Sequence, residues 1–223
     1  MMLYSSEVLH KVTGFVMRQQ QNGEMDLLVF QHPTAGVQLP AGTVEAGESI
    51  ESAALREVTE ETSLTDVRLV RHLGSIGIDL SEERRVFLGS TTLLAGPDIN
   101  APSLGWSFGR GSWCKVQNVV SGFAEILYEE VNLNNNPEMV QIRFSGWVPT
   151  KILTRKLTRH FYHFESTGAT EERWTQLEEI AFDCYWTPFV PKPALVAGQK
   201  EWLDSVYEQL LSTISGNSKT VTG

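Results

Sequence analysis

Residues 42–64 read GTVEAGESIESAALREVTEETSL, and the spacing of the charges in this stretch decides how the rest of the chain is read. A helix is expected from about Ser49 to Thr62. Each helical residue turns the chain by about 100°, so Glu57, Glu60 and Glu61 share one face. Ile50, Ala53 and Ala54 continue that stripe one or two turns earlier. The stripe therefore starts as a packing face and becomes acidic partway along. Solvated acidic stripes normally lie opposite the apolar one. Here the two are collinear, so the glutamates are expected to point into a cleft at the edge of the core. Three carboxylates at close range repel and raise one another's pKa unless a positive charge sits among them. Hard divalent cations satisfy this arrangement, Mg²⁺ favouring carboxylate oxygens, water and substrate phosphates over a cage made only of protein.

Bulk properties narrow the classes. At 223 residues and 41% apolar content, the chain has room for a packed core and one large domain, or one domain carrying a smaller one. No run of about 18 apolar residues occurs, so no membrane span is expected. The start, MMLYSSEVLHKVTGFVMR, lacks the pattern of a secretory signal. Cys114 and Cys184 are too few for a disulfide framework and are expected to be reduced, in a cytoplasmic protein. A net charge of −9 argues against nucleic-acid binding, which needs a basic footprint. It would also repel an anionic substrate unless bound cations intervene.

Gly42, Glu48, Arg56, Glu57, Glu60 and Glu61 stand in the register G-x5-E-x7-R-E-x-x-E-E, with Val58 and Leu64 in apolar slots. Six such positions coincide by chance on the order of once in ten million windows, given ordinary residue frequencies. This register resembles the Nudix box. The resemblance implies an α/β Nudix-type α/β/α sandwich with a mixed sheet, and a divalent-metal-dependent hydrolase that cleaves the pyrophosphate linkage of a nucleoside-diphosphate-linked small molecule. It implies Glu57, Glu60 and Glu61 as the metal ligands, with Mg²⁺ or Mn²⁺ as the metal. Ala41 or Gly42 is expected to add a backbone carbonyl, Glu48 to organise the metal or its waters, and Arg56 to orient the neighbouring glutamates. One position departs from the pattern: the family usually has Gly where the helix ends, and this chain has Ser63. In a left-handed conformation, a non-glycine residue there costs roughly 1 kcal/mol.

Outside the box, 8–18 and 25–31 read as strands joined by an Asn22-Gly23 turn. Residues 37–44 read as a short strand, 66–79 as a longer one. Strands are expected at 159–165 and 181–190, and an amphipathic helix at 199–214 with Trp202, Val206, Leu210 and Ile214 on one face. Between these halves, candidate strands at 85–92, 113–119, 123–131 and 139–147, with a loop at 93–105 and a turn at 132–137, suggest a small β-rich insertion. Its GSWCKV…SGWVPTKIL phrasing is weakly similar to an SH3-type barrel. The expected organisation is a Nudix domain in two parts, 1–79 and 156–214, around an insertion at 80–155, with a flexible tail at 215–223.

Other features are weighed against plain alternatives. Glu165, Glu171, Glu172, Glu178 and Glu179 lie where an additional catalytic glutamate could come from, and none is singled out. Lys151, Arg155, Lys156 and Arg159 form a basic run, read mainly as a solvated linker. His160 and His163 are read as lying on one side of a strand, and Phe161, Tyr162, Trp174 and Trp186 as core. Trp113 and Trp147 are assigned to the core or groove of the insertion. The rival functions are a nucleotide-metabolite sensor without catalysis, and an interaction protein that recruits a protein partner through the insertion. A homodimer is the default oligomer. The leaving group is open, because specificity in such enzymes comes from loops outside the box.

Overall fold

Leu9–Gln19 (β1) and Met25–His32 (β2) form an antiparallel hairpin with Gln19 opposite Met25. Gly23 in the connecting turn adopts a left-handed φ of 86°, which the absence of a Cβ permits. The structure, a computed structural model, describes residues 4–131, 140–177 and 181–217. The stretch 37–44, expected as one strand, is two: Gly36–Gln38 (β3) pairs with β2, and Ala41–Thr43 (β4) pairs with β1. Pro40 between them has no N–H for a ladder, and its carbonyl accepts the Gly14 N–H at 2.8 Å. The helix α1 follows at Ile50–Thr62, then β5 at Val67–Asp79.

The middle of the chain supplies β6 (Arg84–Phe87), β7 (Thr91–Leu94), β8 (Ser103–Phe108), β9 (Trp113–Val120), β10 (Phe123–Val131), β11 (Val140–Pro149) and β12 (Leu153–Thr154). The remaining elements are β13 (Lys156–Ser166), β14 (Arg173–Leu177), β15 (Ala181–Pro188) and α2 (Gln199–Asn217). One sheet has the order β14-β15-β2-β1-β13-β5, with β3 on β2 and β4 on β1. The other has the order β12-β6-β9-β10-β11-β7-β8, and each neighbouring pair in it is antiparallel. The SH3-like reading of the insertion finds no support in that order.

Two compact units divide the chain. One comprises Met1–Lys11, Thr43–Gly47 and Ile76–Arg159, the other Val12–Gly42, Glu48–Ser75 and His160–Gly223. In the first, Phe87, Leu93, Phe108, Ala124, Ile126, Val148 and Leu153 bury one face of the seven-stranded sheet. Ser5 N–H donates to Leu153 O, and the Thr154 hydroxyl donates to Glu7 O. The segments entering β1 and β13 thus run the same way, as a mixed sheet requires of its parallel neighbours.

In the second unit, side chains alternate across β1. Phe15 and Met17 join Leu27, Val29 and Phe161 beneath Leu203, Val206 and Leu210 of α2. Gly14 and Phe164 turn the other way, where a Cβ on Gly14 would press on Val58 of α1. Sheet faces covered by α2 and by α1 give the α/β/α layering. Trp202 packs against the α2 side as a partly buried residue, as its periodicity suggested, while the Ile214 side chain lies outside the described residues.

Several sequence expectations are corrected. The strand expected at 85–92 is broken between β6 and β7. The loop expected at 93–105 is strand at both ends; nearly all residues of β8 are exposed, so no burial period marks it in the sequence. The edge strand β14 falls in a stretch for which no element is expected from the sequence. The helix α2 continues through Asn217, into the stretch read as a loose tail, since no proline interrupts it. The turn expected at 132–137 lies outside the described residues.

His160 and His163, read as sharing one side of β13, face opposite sides, as residues three apart on a strand must. His160 lies beside His72, with ring centroids 5.8 Å apart. His163 is buried, and its Nδ1 has no hydrogen-bond partner among the described residues. Burial, reinforced by Arg71, pushes its pKa down to about 4. The unfolded chain therefore takes up this proton first as pH falls below about 6.5. Stability held at neutral pH is lost between pH 6.5 and 4, by roughly 3 kcal/mol at most. Urea unfolding of wild type and His163→Leu at pH 7 and 4.5 checks this: the variant should lose less stability than wild type over that interval.

Candidate active site

The acidic helix begins at Ser49, whose backbone is extended and whose hydroxyl accepts the Ser52 N–H at 3.1 Å. Such a cap satisfies one of the donors that a helix start leaves free. Glu51 in the first turn suits the positive end of the helix dipole. Ala53, Ala54, Val58 and Thr62 form the buried stripe. Glu57 and Glu61 fall within the same arc, which a turn of about 100° per residue requires. Glu60 lies at its rim, with 47% of its side chain exposed against 13% for Glu57.

The start of β4 receives these carboxylates. The Ala41 N–H donates to Glu61 Oε2 at 2.8 Å. At Gly42 any Cβ would overlap the Glu57 carboxylate, both oxygens included. Glycine is thus required here for close approach of a side chain to backbone. Two of the three glutamates are held against the Ala41–Gly42 segment, and the third faces outward.

Arg56 links the remaining groups. Its Nε and Nη2 bind both oxygens of Glu48 at 2.9 and 3.0 Å, a bidentate pair. Its Nη1 donates to Glu57 Oε1 at 2.9 Å and to Glu60 Oε2 at 2.8 Å. The hydrogen bonds to Glu48, foremost, raise the guanidinium pKa well above its ordinary value. A single guanidinium therefore meets three carboxylates, and the whole constellation of Glu48, Arg56, Glu57, Glu60 and Glu61 is contiguous. Among the described residues, no three His, Cys, Asp or Glu side chains close into a ready-made metal cage. The donors present are nonetheless hard oxygens. A cation such as Mg²⁺ usually keeps several waters and takes only one or two carboxylates plus substrate phosphates, which this arrangement fits.

Comparison with known proteins decides the family. The sequence matches the NUDIX domain over residues 8–164. The chain belongs to the Nudix family. Its activity class is that of a Nudix-type pyrophosphohydrolase. Among solved structures, a Caenorhabditis elegans Ap4A hydrolase is similar at 11% identity and a TM-score of 0.36, over 93% of each chain. A binary complex of a C. elegans Ap4A hydrolase is similar at 14% identity and a TM-score of 0.44, over 92% of this chain and 99% of that one. A MutT/nudix family protein from Enterococcus faecalis is similar at 14% identity and a TM-score of 0.32, over 93% of this chain and 63% of that one. No curated protein matches the chain.

The end of the Nudix box helix is where the sequence departs from its family. Ser63 is left-handed, with φ 59° and ψ 8°, as the usual glycine would be, and its N–H donates to Thr59 O. Three side chains from the sheet complete that end. Gln176 Nε2 donates to Glu60 O at 2.7 Å, Cys184 Sγ to Glu61 O at 3.5 Å, and Trp174 Nε1 to Thr62 O at 2.7 Å. The Ser63 hydroxyl meets Gln176 Oε1. Burial, then the nearby Glu61 and Asp183, pushes the Cys184 thiol up to about 12, so it stays a protonated donor. None of these roles was legible in the sequence, because the contacts join residues more than a hundred positions apart.

Glu165 pairs with Arg68, and Glu172 pairs with Arg18 at 2.6 Å. Glu171 is exposed, and Glu178 and Glu179 lie outside the described residues. Phe161, Tyr162 and Trp186 are buried. Trp174 serves the helix end. Of the basic run, Arg159 is buried and Arg155 pairs with Asp79 at 2.5 Å, leaving Lys151 and Lys156 exposed. Trp113 is exposed, with Lys11 Nζ 5.9 Å from its ring centroid, and Trp147 is partly buried. No described helix is long and apolar enough to cross a membrane.

Proposed function

We propose that this chain hydrolyses a nucleoside-diphosphate-linked small molecule with Mg²⁺ or Mn²⁺, using Glu57, Glu60 and Glu61 as metal ligands. The observation that supports this reading is the seating of Glu57 and Glu61 on the Ala41–Gly42 backbone, with Glu60 joined to Glu57 through Arg56. When bound, the cation supplies Lewis-acid charge that offsets the diphosphate. The protein's own part is orientation. Ala41 fixes the Glu61 carboxylate through its N–H, Gly42 lets Glu57 lie against the chain, and the bidentate Glu48 pair holds Arg56 in register. Both cysteines are free thiols, which fits a reducing, cytoplasmic setting.

The test is a screen of purified protein, with and without Mg²⁺ or Mn²⁺, against ADP-ribose, nucleotide sugars, dinucleoside polyphosphates, NADH, coenzyme A and oxidised nucleoside triphosphates, with products identified. Metal-dependent release of a nucleotide or phosphate from at least one is the expected result. Turnover unaffected by a chelator would count against the metal reading.

A further inference from the structure

A helix leaves its last four carbonyls without intrahelical partners. In α1 all four are engaged: Thr59 O by the Ser63 N–H, and Glu60 O, Glu61 O and Thr62 O by Gln176, Cys184 and Trp174. The strands set this spacing. Trp174 and Gln176, two residues apart on β14, share one face, and Cys184 of β15 is the cross-strand partner of Trp174. The donors stand where they are most needed. The last turn of α1 carries Glu60 and Glu61 and no basic residue, at the negative end of the helix dipole. Its closing residue, Ser63, adds the strain of a left-handed non-glycine. Without outside donors this turn would be the first part of the helix to open, and it carries two of the three candidate ligands.

We propose that Trp174 and Gln176 are positioning residues for the metal site, clamping the carbonyls of the last turn of α1 so that Glu61 keeps its place on the Ala41 N–H and Glu60 its place on Arg56. The inference rests on the metal-dependent reading above. The Gln176 amide has a double role, donating to Glu60 O and meeting the Ser63 hydroxyl through its oxygen. Trp174 closes the helix at its final carbonyl. Both side chains donate to backbone carbonyls of the helix, and both act through that backbone.

Mn²⁺ serves as the probe, its binding to the full chain followed by the electron paramagnetic resonance signal of the free ion, with hydrolysis measured in parallel. Gln176→Leu and Trp174→Phe should each weaken Mn²⁺ binding by roughly 10-fold, the loss that supporting partners of metal ligands bring. They should lower kcat with little change in KM. Leu177→Ala, at a residue 76% exposed on the same strand, should change neither. Adding Ser63→Gly to Gln176→Leu should raise the thermal midpoint without restoring Mn²⁺ affinity, because glycine relieves the strain but supplies no donor for Glu60 O. Affinity that is unchanged in the variants, or that recovers together with the midpoint, overturns the positioning role and leaves only a structural one. Wild-type protein that takes up no Mn²⁺, or as much as Glu61→Gln, overturns the metal reading and this inference with it.

Discussion

Replacing Glu61 with glutamine is expected to lower turnover by about 10²–10³-fold, the loss that follows removal of one preorganised electrostatic group, while the fold stays intact. The substitution separates charge from shape. The glutamine carbonyl can still accept the Ala41 N–H that Glu61 Oε2 accepts at 2.8 Å, so the helix keeps its tie to β4. What disappears is the negative charge facing the proposed cation. Glu60→Gln should follow the same direction with a smaller loss, since its side chain lies at the exposed rim and also engages Arg56. Steady-state kinetics at saturating Mg²⁺, beside thermal melts, read both effects. Full activity in both variants would sink the assignment of these glutamates.

Gly42→Ala is the second substitution from which a large effect is expected, and it adds only one methyl group. That methyl would occupy the space of the Glu57 carboxylate. Either the side chain swings away or β4 retreats, and each outcome separates Glu57 from the backbone against which it lies. A displacement of about 1 Å at such a site costs on the order of 10²-fold in rate. The Arg56 bond to Glu57 Oε1 would break with it, while the bidentate Arg56–Glu48 pair, on other atoms of the guanidinium, should survive. A matched control is Gly23→Ala, where a Cβ meets nothing within 4 Å. It carries the strain of a positive φ but should leave turnover unchanged. Equal activity of Gly42→Ala and wild type would show that Glu57 does not need its seat.

The sequence made the chemistry legible and left the mechanics hidden, for a physical reason. Helical periodicity is local, so the shared arc of Ala53, Ala54, Glu57 and Glu61 could be read from adjacent letters. The left-handed turn at Ser63 was equally a matter of neighbours. What holds that turn is not local: Trp174, Gln176 and Cys184 reach α1 from strands far along the chain, and β14 alternates too weakly in polarity to announce itself. The two histidines of β13 show the reverse case: they are three residues apart, and the two-residue period of a strand puts them on opposite faces. Strand β8, exposed along most of its length, gave no hydrophobic pattern to read.

The complete capping of α1 also sets an order of events during synthesis. The helix has been made by residue 62, yet the side chains that satisfy its final carbonyls are translated only at 174, 176 and 184. At a ribosomal pace of about 5–20 residues per second, the acidic end of the helix waits several seconds or longer for its partners. During that interval the seven-stranded sheet, whose strands lie between residues 84 and 154, is translated in full. The chain thus carries an unfinished helix end through the making of an entire sheet, and a ribosome that stalls in that window leaves a nascent chain whose acidic helix has no fixed terminus.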